Sequence, residues 1–399
     1  MDNCKVLKNK ILQIALIFGL LLFSGMWLRA QDSTSHRFTT LKLEVRADFD
    51  VIAEFYGVNW RFGHESVGDT VHYGLNGRYF NLCLGGEFGK GFSYYFRQRI
   101  IANKGASSLF DNTDFLYLQY DFKDRWAVRV GKEALAIGGF EYDAAPIDVL
   151  YYSYFWGQVC CFQLAGHLSY TDKEGRNKLT LQVSNSPYVY YTGTGSEWKQ
   201  GLLGYSLMWN GTFPHFRTIY SVNFFERKRG KFVNYISLGN RLDFGLWSWY
   251  IDFQNRAFSL DRHFFDNFTA VTRMDFAVKS FNIFMKAGYD QNMVDAPYVL
   301  DPSVEMMDYM MIPGQGRLFY GLGVEYRPAK CPSVRIHAFV NRSTSFARYY
   351  GMETCGAING NVGITWNVDF LRYFKRLQEK KHNQNENTQE ENTGVRPLD

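Results

Sequence analysis

Arginine recurs in this sequence at spacings suited to holding anions. Arg97 and Arg99 stand two apart in "YFRQRI", so an extended strand puts both on one face, and Arg129 follows two segments later. Arg241, Arg273, Arg317 and Arg335 take the polar parity of later segments. Guanidinium groups arrayed along one wall favour anions, because the ion keeps charged partners as it sheds water. The alternative is a mixed polar wall whose charges pair across strands, Arg241 near Asp243 and Arg273 near Asp275. No glycine-rich phosphate loop, paired-carboxylate site or metal cluster stands out, and the eight His are scattered, so the reading names no catalytic residue, cofactor or metal.

These arginines belong to segments with a two-residue hydrophobic period. Leu41, Leu43, Val45, Ala47 and Phe49 alternate with Lys42, Glu44, Arg46 and Asp48, and Trp247, Trp249, Ile251 and Phe253 alternate with Ser248, Tyr250, Asp252 and Gln254. Such alternation is the mark of a strand with one apolar and one polar face. Segments of this kind begin near residues 41, 78, 92, 114, 126, 160, 177, 202, 216, 232, 246, 267, 281, 317, 334 and 358. The last, Gly360 to Phe374, is expected to close the set against the strand starting near Leu41.

Composition narrows the class. The 399 residues are 46% hydrophobic and 18% aromatic, yet mean hydropathy is −0.27, which excludes a bundle of membrane helices. Lys5, Lys8 and Lys10 precede the apolar run Ile11 to Phe23, and "WLRA" precedes Gln31, which predicts a secretory signal peptide over residues 1–30. Its removal lowers the net charge from +5 to +2, so nothing argues for a nucleic-acid partner. Residues 31–374 then form one domain, and 375–399, with no hydrophobic pattern, a flexible polar periplasmic tail. Cys83, Cys160, Cys161, Cys331 and Cys355 have no metal spacing and suggest no disulfide framework, although a bridge from Cys160 or Cys161 to Cys355 is conceivable.

The links decide what covers the apolar faces. Those after even-numbered segments are tight ("EFGKGF", "DFKDRW", "DFGLW"), and those after odd-numbered ones are usually longer. A transmembrane antiparallel β-barrel of about 16 strands alternates in this way, with short periplasmic turns and long extracellular loops. Lipid then covers the apolar face, closure leaves no edge unpaired, and a lumen of this width holds water. Trp126, Tyr120, Phe122, Trp247 and Phe244 are expected in the interfacial aromatic girdle. The expectation is a channel in the outer membrane of a Gram-negative cell. It would pass small hydrophilic solutes by diffusion with a mild preference for anions. Its constriction is the link 132–159, which carries Lys132, Glu133, Glu141, Asp143 and Asp148. A second long link, from about Asp290 to Gly316, is acidic and holds five Met. A barrel plugged by these loops, substrate-specific or structural, is the alternative.

The final segment resembles the assembly signal of outer-membrane barrels: Asn361, Gly363, Trp366 and Val368 fit in order, with Phe370 continuing the outward face. The resemblance implies recognition by the barrel-assembly machinery. The mature chain resembles the phosphate-selective porin O and P family in its Bacteroidetes branch, most clearly over "DFLYLQYDFKDRWAVRVGKEALAIGGFEYDAAP", Asp114 to Pro146. Membership would imply a sixteen-stranded pore, typically a homotrimer, with its third loop folded inward. A remoter resemblance is to outer-membrane phospholipases, which use His and Ser two apart on one strand, as in "HLS" at His167 to Ser169. There the pair faces lipid, whereas this pair shares parity with Gln163 and faces the lumen, so the reading remains a non-enzyme.

Overall fold

The computed structural model describes residues 37–57, 70–100, 110–159, 161–188, 201–257, 265–292, 315–347 and 354–375. The expected signal peptide, nearly all of the tail, the Met-bearing link and any bridge through Cys160 lie outside the described residues. The first eight strands are β1 (Arg37–Gly57), β2 (Thr70–Gly89), β3 (Phe92–Arg99), β4 (Thr113–Phe122), β5 (Trp126–Ala134), β6 (Phe162–Thr171), β7 (Asn177–Asn185) and β8 (Leu203–Thr212). The rest are β9 (Phe216–Lys228), β10 (Lys231–Phe244), β11 (Trp247–Ala257), β12 (Asn267–Val278), β13 (Phe281–Asn292), β14 (Gln315–Tyr326), β15 (Val334–Ala347) and β16 (Thr354–Asp369). All sixteen form one closed barrel in which each strand pairs with its sequence neighbours. Closure joins β16 to β1 antiparallel, with Leu43 opposite Val368 and Val45 opposite Trp366.

Strand parity sorts the two faces. Val130, Leu181, Met285, Leu322 and Val362 point outward and are more than half exposed, as a lipid-facing band requires. Near the short-link end the outward face turns aromatic. Ring centroids run from Phe92 to Tyr120 (4.4 Å), Phe122 (6.0 Å), Trp126 (6.5 Å) and Tyr170 (4.8 Å) around β3 to β6. Phe244 and Trp247 stack 4.6 Å apart on the β10–β11 turn. Links after the even-numbered strands span two to seven residues, and the β9–β10 turn is an equally short exception at the other end. No helix among the described residues is long and apolar enough to cross a membrane; strands do the spanning.

Beyond shifts of a few residues at other strand ends, two boundaries differ from the sequence reading for a reason the structure shows. β2 begins at Thr70 rather than near residue 78, pairing back to Glu54, because Gly74, Gly77 and an irregularity opposite Arg46–Ala47 hide its alternation. β16 ends at Asp369, and Phe370 starts a helical turn through residue 375 instead of continuing the outward face. Asp369 stops the strand: its Oδ1 accepts from the Arg372 N–H at 3.1 Å, the side-chain cap of a helix start.

Buried apolar and aromatic side chains sit on the inward parity, where water alone would not place them, among them Phe225, Val233, Tyr235, Tyr250, Val271, Phe284, Phe319 and Phe339. They cover a third loop folded into the lumen. Leu135, Ile137 and Phe155 of the loop pack on Phe225, Val233 and Tyr235, and Leu150 and Tyr151 pack on Tyr250, Phe284, Phe319 and Phe339. Burial of each such side chain contributes about 1.5–3 kcal/mol.

Candidate functional site

Loop three leaves β5 at Ala134 and rejoins the wall at Phe162, carrying α1 (Phe140–Asp143), a 3₁₀ turn (Pro146–Asp148) and α2 (Tyr154–Gln158). Its first stretch lies along β7, β9 and β11. Ala136 N–H donates to Gln182 Oε1 (2.7 Å), Gly138 N–H to Ser221 Oγ (2.8 Å), and Phe140 and Glu141 N–H to the two oxygens of Asp252 (2.9 and 2.7 Å). The backbones come very close here. Gly139 sits at φ 104°, and a Cβ on Gly239 of β10 would lie 2.8 Å from the Gly139 Cα.

The loop then crosses to the opposite wall. Lys286 Nζ of β13 donates to Glu141 Oε1 and to the Tyr151 carbonyl, both at 2.6 Å, in a pair whose side chains are 3% and 1% exposed. Glu141 also accepts from Ser153 N–H at 3.0 Å. Arg335 of β15 reaches Asp148 Oδ1 (2.7 Å) and the Ile147 carbonyl (2.8 Å), Arg46 of β1 reaches the Val149 carbonyl (3.0 Å), and Asp290 accepts from Tyr154 N–H (3.2 Å). The loop is thus held on both sides of the lumen.

Among the described residues, three cavities border it. One of about 570 Å³ lies between the loop and the wall from β2 to β8, lined by Arg97, Arg99, Arg129 and Lys178 and, from the acidic side, by Glu133 and Asp143. A second, of about 420 Å³ toward the short-link end, is lined by Arg241, Arg273, Arg335, Lys286 and Arg327 against Glu141, Asp148, Asp243, Asp275 and Glu325. The third, of about 730 Å³ toward the long-link end, includes Arg46, Arg78, Arg99 and Arg317 against Asp48, Asp50 and Glu54. Asp143 faces the first cavity. Loss of water in the crowded lumen raises its carboxyl above the usual range, against the pull of Arg217 and Lys178.

All seven arginines singled out in the sequence line these cavities, and every one has a carboxylate partner. Arg97 and Arg99 share Asp114, at 2.9 and 2.8 Å. Arg129 pairs with Glu133 (3.2 Å), Arg241 with Asp243 (2.9 Å), Arg273 with Asp275 (2.7 Å), Arg317 with Asp290 (3.8 Å) and Arg335 with Asp148 (2.7 Å). The wall is the mixed polar one, although Arg241–Asp243 and Arg273–Asp275 pair along one strand rather than across two. Arg46–Asp48 repeats the motif at 2.7 Å, so Arg-x-Asp at inward parity was a signal open to sequence reasoning.

Several candidates sit elsewhere than expected. Lys132 and Glu133 belong to β5, since the strand continues in register opposite Leu164 and Gln163. Lys132 Nζ binds the Phe110 carbonyl at 2.5 Å. Glu133 is buried in the wall, bonded to His167 Nδ1 (2.8 Å) and Gln182 (3.1 Å). Asp290 lies on β13, not in the following link. Asn361 and Gly363 face inward: Asn361 donates to Asp50 Oδ1 at 2.7 Å, and a Cβ on Gly363 would lie 2.2 Å from Asp48 and 2.5 Å from His337. Trp366 points outward, 48% exposed. Cys83, Cys161 and Cys331 are free thiols. Asp114, which pairs with Arg97 and Arg99, was not among the candidates; Asp252 and Lys286 take the inward parity expected of them, but the sequence does not show that they hold the loop.

A closed sixteen-stranded barrel, apolar outside and charged within, with a loop folded through its lumen, defines an outer-membrane channel. The model of the phosphate-selective porin O and P family matches residues 45–266, more than half of the chain, and the chain belongs to that family. It is an outer-membrane porin, a channel for small solutes and not an enzyme. His167 accordingly serves the wall beside Glu133, in the lumen.

Solved structures similar in fold include the outer-membrane channel DcaP of Acinetobacter baumannii (TM-score 0.58, 10% identity, 84% of this chain and 98% of that one). An anion-selective porin from Comamonas acidovorans is also similar (TM-score 0.55, 10% identity, 84% and 100% covered). So is OmpT of Vibrio cholerae (TM-score 0.53, 10% identity, 84% and 99% covered). No curated protein matches the sequence.

Proposed function

We propose that the channel is a passive route for small hydrophilic solutes, mildly anion-preferring, with loop three as its constriction. The carrying observation is the clasping of the loop to both walls, which leaves cavities of about 420 to 730 Å³ bordered by paired arginines. Around the first cavity four basic side chains line the space against two acidic ones, around the second five against five, and around the third four against three. A small basic excess tilts the field toward anions without building a strong filter. The anion-selective porin from Comamonas acidovorans shares the fold and agrees with this reading.

In the same reading residues 1–30 are a signal peptide, 31–374 the barrel and 375–399 a periplasmic tail. The short-link end, where both ends of the barrel chain lie, faces the periplasm. Trp366 and Val368 present the outward face to the assembly machinery, and subunits associate as a trimer. The double anchoring of loop three favours one other state, a pore plugged at rest, which would conduct weakly and only as the loop moves. Reversal potential in a potassium chloride gradient tests the selectivity. A potential of the sign set by chloride is expected; one set by potassium contradicts the proposal.

A further inference from the structure

We propose that the vestibule at the long-link end binds neutral saccharides, with Tyr152 as the stacking platform; this rests on the porin reading above. The cavity there, about 730 Å³, is of the size that holds small ligands. Tyr152 is 45% exposed within it. Its ring is fixed by Trp156, centroid to centroid 4.8 Å at 38°, and by Gly157, where a Cβ would lie 2.7 Å from the ring. A flat apolar surface is therefore held rigid at the mouth of the passage.

The polar lining fits hydroxyl groups better than ions. Each arginine of the cavity is already partnered: Arg46 by Asp48 (2.7 Å), Arg78 by Asp48 and Asp50, Arg99 by Asp114 (2.8 Å) and Arg317 by Asp290 (3.8 Å). The charge of each is thus largely balanced, so the cavity holds an anion only weakly. Acceptors, in contrast, are in surplus. The amide oxygens of Asn81, Asn341 and Asn361, on residues 2%, 7% and 4% exposed, have no hydrogen-bond partner among the described residues. An unmet buried acceptor is costly, and a ligand hydroxyl that donates to it relieves the cost. A pyranose offers both parts, a C–H face for the tyrosine ring and a rim of O–H donors for the asparagines.

The test is current through purified, refolded channels in planar bilayers, with maltotriose to maltohexaose added and block scaled to each variant's own salt conductance. The expected result is concentration-dependent block that Tyr152→Ala weakens roughly threefold to tenfold and Tyr152→Phe preserves. Conducting channels that ignore saccharide, that are blocked by inorganic phosphate alone, or that are blocked equally in Tyr152→Ala would overturn the proposal while leaving the porin reading intact. Absence of any conductance would overturn both.

Discussion

Glu141 and Lys286 show how much one residue carries here. The pair is almost fully buried and ties the loop to β13. Removing one charge strands the other without water, which costs about 3–5 kcal/mol, whereas an apolar pair of similar volume is close to neutral. Glu141→Gln is therefore expected to lower the urea midpoint of the folded barrel and to increase open-channel noise, while Glu141→Leu with Lys286→Met restores the midpoint only in part, because Ser153 N–H and the Tyr151 carbonyl lose their partners. Gly363 is a second such position. Its missing side chain makes room for the buried contact between His337 Nε2 and Asp48 Oδ1, 3.1 Å long. Gly363→Ala should destabilise the barrel by about 1–3 kcal/mol through overpacking, read from the same unfolding curve. Equal midpoints for Gly363→Ala and the native protein would show that the glycine matters elsewhere.

At the scale of the element, loop three governs the field in the lumen. Its Asp143 faces the arginine-lined cavity with a carboxyl raised above the usual range. As pH falls, Asp143 takes up a proton earlier than an ordinary carboxylate, whereas the arginines stay charged. The loop then loses negative charge, so the chloride-to-potassium permeability ratio is expected to rise from about pH 8 to about pH 4. A ratio that stays flat or falls would count against the loop as the source of the field. Strand positions were legible in the sequence because parity is a local signal: β3, β5, β7, β9, β12, β13 and β15 begin at the residues the alternation marks. The loop's inward fold was less so. Glu141 and Lys286 lie 145 residues apart, and Asp252 binds backbone N–H groups 111 and 112 residues before it. No periodicity encodes such meetings. One clue was available in Tyr250, Phe319 and Phe339, aromatic residues on the wet parity that only an object inside the barrel explains. Lys132 and Glu133 read as loop because strand ends carry no sharp mark, and Phe370 reads as strand because the cap at Asp369 leaves the alternation unbroken.

The whole molecule is a wall whose outer face is set by lipid and whose inner face is set by loop three. Sixteen strands fix the width of the lumen, and the clasped loop divides it into cavities beside paired charges. Single-channel conductance measures that arrangement most directly. Purified, refolded protein in planar bilayers should give discrete steps. A variant in which residues 138–158 are replaced by a short Gly-Ser link should give larger ones. Steps of equal size in the two proteins, or no steps from the native chain, would contradict a lumen gauged by its third loop.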